Sequence, residues 1–397
     1  MSNKKKLLVT GSTFPRWEGD TEPRFVLDMA SALTEYYDVT VLVPAAPNAK
    51  DEELMEGVRV KRYHYFPIHR LETLCYPGAI VPRVREKKSR ALLIPFLFVS
   101  LWFHLIKECK DVDLVHAHWL IPQGIVQSFI NKPYVVTGHG GDVTSLNSGI
   151  IKILKKRCLN RASKVTVVSQ YLESCVKEIA DIDDVEIISM GCQVSHFGPQ
   201  FRVENKFSQD GKKVVLFVGR LAEKKGVKFL IEAMQGIDAK LVIVGKGPLK
   251  TELEEQAHAL SIDADFIGAK THEELKEIYA SADVFVAPSV KGKDGDMEGL
   301  GLVNLEAMSS GLVVIGSRSG GIVEIVEDGV TGLLVDEKNS QQIHDAINRV
   351  LGDAELANTL RQNALDYVKQ YDYPFLARRY HECFEKCLQA DVSLIDS

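Results

Sequence analysis

Glu298-Gly-Leu-Gly-Leu-Val-Asn-Leu-Glu306, continued by Ala-Met-Ser-Ser-Gly311, is the stretch whose reading decides the fold. Ahead of it runs Asp283-Val-Phe-Val-Ala-Pro288, a short apolar segment ended by a proline, which reads as a buried parallel strand. Behind it comes a second such strand, Leu312-Val-Val-Ile-Gly316. Between the two, Leu302, Leu305 and Met308 recur at helical spacing, and Gly311 stands where a helix stops. The order is therefore strand, loop, helix, strand. Glu298 falls on the loop at the C-terminal edge of the sheet, where open α/β sheets bind ligands, and Glu306 falls on the helix. Gly299 and Gly301 allow close backbone approach. Leu300 and Leu302 flank the helix start, whose N–H groups suit an anion.

Two carboxylates at this spacing raise the question of a hydrolase pair. On one helix, eight steps would part their Cα atoms by roughly 12 Å, whereas a retaining hydrolase holds its carboxyls about 5 Å apart. That reading is set aside. A surface helix with two ordinary glutamates is the plain alternative. The pattern E-G-L-G-L-V-N-L-E-A-M, however, closely resembles the E-x7-E signature of family 4 retaining glycosyltransferases. The resemblance implies that Glu298 touches the hydroxyls of a donor sugar and Glu306 the ribose of its nucleotide.

Composition is that of a soluble globular protein. The chain has 397 residues, 45% hydrophobic and 26% charged, enough for two domains. Its seven cysteines are scattered and include no C-x-x-C pair, so neither a zinc site nor a disulfide framework is indicated, and a reducing compartment fits. Lys4-Lys5-Lys6 precedes an apolar run too short for a signal peptide. Net charge is −6 and unevenly spread: residues 1–196 hold 25 Lys and Arg against 22 Asp and Glu, and the remainder 23 against 32. The acidic total argues against nucleic acid as a partner. The basic front half suggests an anionic surface or a phosphorylated partner.

From the N-terminus, Leu7–Thr10 reads as a strand, the loop to Arg24 follows, and Phe25, Val26, Met29 and Leu33 mark a helix. The loop lacks G-x-G-x-x-G, which disfavours a nicotinamide cofactor. It resembles the phosphate-side loop of the same glycosyltransferases, with Gly19 in place and Asp20 where a second glycine is usual. Val39–Val43 and Val58–Tyr65 are further strands. On Asp113–Trp119, His116 and His118 share one strand face; with no third ligand nearby, zinc is set aside. The strand resembles the family's D-x-V-H-x-H, which ends beside the acceptor. In Gly138-His139-Gly140-Gly141-Asp142, a histidine among glycines at a strand end is badly placed for core packing and reads as ligand-facing. By resemblance His139 faces the donor sugar, while His118 and Asp142 lie on the acceptor side.

Residues 83–106 carry two readings. Arg83, Arg85, Lys87, Lys88 and Arg90 precede 16 residues, Ala91–Ile106, with no Lys, Arg, Asp or Glu. The segment is short and interrupted by a proline for a bilayer span. It is either a helix buried under the sheet behind a solvated charge run, or a basic-apolar element lying on an anionic membrane.

Arg202–Lys213 is polar and reads as a linker. Beyond it, Lys213–Val218 opens a second sheet. The turn Gly219-Arg220-Leu-Ala-Glu-Lys-Lys225-Gly226 places an arginine and a lysine at a strand's C-terminal edge, which suits a diphosphate. It matches the family's G-R-x4-K-G. Gly245 lies in a second strand–glycine turn, and Asp265-Phe-Ile-Gly268 resembles a strand end where the backbone of Ile267 meets the base. Asp-x-Asp occurs at 111/113, 263/265 and 294/296, the first two beside strand starts and the third in a charged loop, so each reads as structural.

The resemblance covers nearly the whole chain and implies the GT-B fold: two Rossmann-like, doubly wound α/β domains facing across a cleft. Residues 1–197, with a returning helix in 375–397, form the acceptor-side domain; residues 198–374 bind the nucleotide sugar. The implied activity is retaining transfer to a saccharide or lipid-linked acceptor, catalysed by His139, Arg220, Lys225 and Glu298. No metal or other cofactor is required. The implied setting is cytoplasmic, at the inner face of the cell membrane. An epimerase of the same fold and a non-catalytic nucleotide-sugar binder are the rival readings.

Overall fold

The structure is a computed structural model and describes residues 4–395 apart from 21, 79, 209 and 293–299. The chain divides into two compact units, one comprising residues 1–189 and 373–397, the other 190–372.

The first unit is built on eight strands: β1 (Lys6–Thr10), β2 (Asp38–Pro44), β3 (Glu52–Met55), β4 (Val58–Tyr63), β5 (Leu114–His118), β6 (Tyr134–Gly138), β7 (Lys164–Val167) and β8 (Val185–Ile187). They lie in the order β3-β4-β2-β1-β5-β6-β7-β8. All pairs are parallel except β3 with β4. β3 is not legible in the sequence, because Glu-Glu-Leu-Met has neither β-branched residues nor a clean alternation. It forms because Glu56 and Gly57 both adopt positive φ, the turn that joins two antiparallel strands. Connections are made by α1 (Phe25–Leu33), α2 (Ile80–Glu86), α3 (Ile94–Glu108), α4 (Ile125–Gln127), α5 (Gly141–Thr144), α6 (Gly149–Arg161) and α7 (Gln170–Ile179).

Among the described residues the second unit has six strands, all parallel: β9 (Lys213–Val218), β10 (Ala239–Val244), β11 (Ala264–Gly268), β12 (Val284–Ala287), β13 (Val313–Ser317) and β14 (Gly332–Val335). Their order, β11-β10-β9-β12-β13-β14, reverses direction at β9/β12, the position where doubly wound sheets take ligands. Its helices are α8 (Val227–Ala233), α9 (Lys250–Ala259), α10 (His272–Ala280), α11 (Leu302–Ser309), α12 (Ile322–Ile325), α13 (Ser340–Gly352) and α14 (Ala354–Tyr367). Both faces of this sheet are covered. One core gathers Phe217, Leu230, Ile243 and Ile347, the other Leu216, Tyr279, Phe285 and Met308. Strands buried on both faces explain the continuous apolar runs.

The last helix, α15 (Tyr373–Ile395), belongs to the first unit. It packs along α1, and Tyr380 and Phe384 join Leu7, Val9 and Leu33 in that unit's core. By chain contacts the units divide at 189/190 and 372/373, a few residues before the expected 197/198 and 374/375. The cause is local pairing. Cys192 N–H bonds the Tyr371 carbonyl at 2.9 Å, and Val194 N–H bonds Asp372 Oδ1 at 3.3 Å, so both crossing segments are tied within the second unit. Residues 202–213 are likewise no free linker. Arg202 donates to the Ala282 carbonyl at 2.9 Å, and Lys206 pairs with Glu277 at 2.9 Å.

Candidate functional site

In the second unit the site residues converge at the C-terminal edge of neighbouring strands. Gly219 follows β9, and Gly245 follows β10. A Cβ on Gly245 would stand 1.9 Å from the Gly219 carbonyl oxygen, so these two turns touch backbone to backbone. Gly226, at φ +64°, lies equally close to the Pro288 carbonyl beyond β12. Hydrogen bonds lock the same loops: Leu221 N–H to Lys246 O at 3.1 Å and Val290 N–H to Lys224 O at 2.8 Å. The loop carrying Arg220 and Lys225 is thus held by its backbone, which leaves the side chains to other work. Arg220 is exposed, and its side chain forms no hydrogen bond or ion pair with any described residue. Lys225 is half-buried and already engaged.

At β11 the ladder slips. Phe266 pairs with Ile243 and Gly268 with Val244, so Ile267 has no partner across the strand and its backbone is re-aimed. This local irregularity is what sets the expected base-contacting residue apart from its neighbours.

Glu298 and Gly299 lie outside the described residues. Leu300 is buried at 2% exposure, Gly301 takes the left-handed conformation at the N-terminus of α11, and Leu302 begins the helix. Glu306 sits in the second turn, half-buried, and its Oε2 accepts a 2.8 Å hydrogen bond from the Tyr279 hydroxyl. Burial raises the Glu306 carboxyl to about 7, against which the Tyr279 bond acts in the opposite direction. Tyr279, fully buried on α10, is a partner no sequence signal reveals.

In the first unit, His139 follows β6 and His118 ends β5; the two strands pair directly. His118 Nδ1 and His139 Nε2 are 2.9 Å apart in a hydrogen bond, with the rings stacked at 5.0 Å between centroids. Phe25 and Trp119 close on His139 at 5.2 and 5.1 Å. Burial holds both imidazoles neutral: His118 falls to about 3 and His139 well below its ordinary value. His118 Nε2 and His139 Nδ1 have no hydrogen-bond partner among the described residues.

Asp142 has a different task from the one expected. Its Oδ1 accepts from His139 N–H at 3.1 Å and Gly140 N–H at 2.9 Å, and its Oδ2 from Leu120 N–H at 2.8 Å. It is an anchor that fixes the glycine-rich loop, and so positions His139. Asp20 is similarly spent within its own loop. Arg16 reaches it with Nε at 2.8 Å and Nη2 at 2.6 Å, and Arg16 N–H adds a third bond at 2.9 Å. The Asp20 side chain is a brace rather than a phosphate contact. Gly19, at φ +78° with nothing near its Cα face, is the open position of that loop.

Comparison with known proteins divides the chain between residues 196 and 200. The family described as Glycosyltransferase Family 4 matches residues 23–196, and that described as Glycosyl transferases group 1 matches residues 200–366. A GDP-mannose-dependent alpha-(1-6)-phosphatidylinositol monomannoside mannosyltransferase of Mycolicibacterium smegmatis is 32% identical over 368 residues, 88% of this chain and 90% of the relative. Among solved structures, sucrose-phosphate synthase of Thermosynechococcus elongatus superposes with a TM-score of 0.77 at 23% identity, covering 98% of this chain and 100% of that one. HepE of Anabaena, solved with UDP and glucose, gives 0.73 at 19% identity, covering 96% and 100%.

Proposed function

Because the chain belongs to the family 4 glycosyltransferases and has the GT-B fold, we propose that it is a retaining hexosyltransferase. It moves a sugar from a nucleoside diphosphate to a saccharide or lipid-linked acceptor, in cell-surface polysaccharide or glycolipid synthesis. The observation that carries this is the Gly219–Gly226 loop: an exposed arginine and a neighbouring lysine on a backbone locked by its neighbours, at the edge where the sheet reverses. Breaking a sugar–diphosphate bond leaves a cationic sugar and an anionic diphosphate. Arg220, Lys225 and the N-terminus of α11 hold that anion as its charge develops. In this reading no metal is needed. Glu306 accepts from the ribose hydroxyls, the Ile267 backbone meets the base, and Gly219 and Gly245 give the nucleotide room. Glu298 binds the sugar hydroxyls, and His139 is assigned a contact with the donor sugar.

The mycobacterial relative is named for GDP-mannose and a phosphatidylinositol mannoside, and HepE was solved with UDP and glucose. What carries over is the class: a nucleoside diphosphate hexose and, from the mannosyltransferase, a glycolipid acceptor. In this reading the enzyme works in the cytoplasm at the inner face of the membrane, with 83–106 as its point of contact.

Proton NMR of the product decides the stereochemistry. An α-linked donor should give an α-glycoside, read from the anomeric coupling. A β-linked product would refute retention, and release of free nucleotide without acceptor would favour an epimerase.

A further inference from the structure

The first unit has a greasy face that its own fold leaves uncovered. Helix α3, with the turn before it, runs from Lys88 to Glu108 and is apolar enough to cross a membrane, yet only 22% of that window is buried. It does not cross one, since it joins β4 to β5 of a single sheet and packs against it through Leu97, Leu101 and Leu105. This single stripe, spaced by four, is its contribution to the core. The opposite stripe, which in an ordinary surface helix is charged, holds Phe96, Val99, Trp102 and Phe103, exposed by 38–60%, and Leu92 just ahead of the helix is exposed by 74%. The helix is thus buried along one side and exposed along the other.

A second element repeats the pattern. Right-handed crossovers put α3, α4 and α6 on the same side of the sheet, and α4 packs against both of the others. On α6, Ile150 and Ile153 are exposed by 70 and 68%, beside exposed Lys152, Lys156 and Arg161, and the helix contains no acid. Among the described residues of the second unit, the only large apolar side chains exposed to this degree are three valines, 203, 323 and 330. The asymmetry is not a general looseness of the chain.

Charge selects the occupant. Residues 81–161 hold thirteen Lys and Arg against five Asp and Glu, in a protein whose total is −6. Four of the five acids are engaged: Glu86 by Arg83 and Arg90, Glu108 by Lys61, Asp113 by Lys6 N–H and Asp142 by three amides. The same pairing divides the basic run, because Arg83 and Arg90 brace the turn while Lys87 and Lys88 stand exposed. A protein partner of ordinary composition needs no such excess. We propose that α3 and α6 together form a two-helix docking surface for an anionic lipid bilayer, with the exposed aromatic and aliphatic side chains entering the headgroup boundary and Lys87, Lys88, Lys152 and Lys156 facing the phosphates. This deepens the membrane contact placed at 83–106 by adding α6, and its test requires no glycosyl transfer.

Flotation of the full-length protein with vesicles tests it. The protein should rise with an equal mixture of phosphatidylcholine and phosphatidylglycerol and stay down with phosphatidylcholine alone. Lys152→Glu with Lys156→Glu should weaken binding about thirtyfold or more, and Ile150→Asp with Ile153→Asp should weaken it comparably. Lys250→Glu with Lys369→Glu, on the second unit, should leave it unchanged. Thermal stabilisation by nucleoside diphosphates, retained in every variant, shows that each is folded. Absence of flotation on the mixed vesicles overturns the proposal. So does binding that survives both α6 variants, or a stable dimer in sedimentation that Ile150→Asp and Ile153→Asp dissolve, which would make a second copy the occupant.

Discussion

Replacing Glu306 by glutamine tests the nucleotide half of the site through its pH dependence. Burial raises the Glu306 carboxyl to about 7, into the neutral range. Ribose hydroxyls donate to the ionised form. Binding therefore has to release the proton, and affinity is lost as pH falls through the raised value. With a value near 7, the penalty is roughly tenfold at pH 6 and negligible at pH 8, a difference of about 1.4 kcal/mol. Stability without nucleotide runs the other way. A raised carboxyl makes the folded state bind more protons than the unfolded one, so stability falls as pH rises from the ordinary carboxyl range to about 7. In Glu306→Gln the amide oxygen still accepts from the Tyr279 hydroxyl, so the fold contact survives while the titration disappears. Isothermal titration with the nucleoside diphosphate of the preferred donor, at pH 6 and pH 8, gives the comparison. The diphosphate's own titration is common to both proteins and cancels. Wild-type affinity should gain about tenfold more than the variant's between the two pH values. Equal pH slopes would refute the assignment and leave Glu306 as a structural partner of Tyr279.

Arg220→Ala or Lys225→Ala should each lower turnover by ~10² or more with little change in melting temperature, since each stabilises charge that appears only as the bond breaks; wild-type turnover in both would sink the phosphate assignment. Activity should survive EDTA. Complete loss restored by Mg²⁺ or Mn²⁺ would mean that one of the Asp-x-Asp pairs was misread. A change in melting temperature alone would instead point to His64, His69 and Glu72 of the first unit, whose ligand atoms lie within 4.8 Å of one another.

The sheets were legible because their strands are buried on both faces. Val215–Val218, Leu241–Val244 and Val313–Ile315 announce themselves as runs of branched apolar residues. The site loops were legible where chemistry constrains backbone. Gly226 and Gly245 meet neighbouring carbonyls at distances that exclude a side chain, and a pattern of glycines records that contact directly. Pairings between distant residues left no such trace. Nothing in the sequence ties Tyr279 to Glu306, or tells that Arg16 closes on Asp20. The contact-based division at 189/190 escaped the sequence for the same reason. The polar composition of 202–213 was visible, while the bonds from Cys192 and Val194 to Tyr371 and Asp372 were not. Composition reports burial well and reports hydrogen-bond partnership poorly.

That distinction bears on the stereochemical reading. An inverting transfer needs a base to take the acceptor's proton, and in the first unit His139 and Asp142 are the side chains to consider. Asp142 has both oxygens committed to three backbone amides, and moving it to an acceptor would release the glycine loop that it holds. His139 is buried against His118, Phe25 and Trp119, and desolvation keeps its proton affinity well below the ordinary range. A base is useful when its conjugate acid is near the working pH, so a histidine held this far below it accepts a proton poorly. What a neutral, rigidly braced imidazole does well is present one fixed N–H or lone pair to a sugar hydroxyl. Both candidates are therefore built as positioning groups. Under the proposed retaining route, the acceptor's proton would pass to the departing diphosphate on the same face of the sugar, and the NMR product assay tests it.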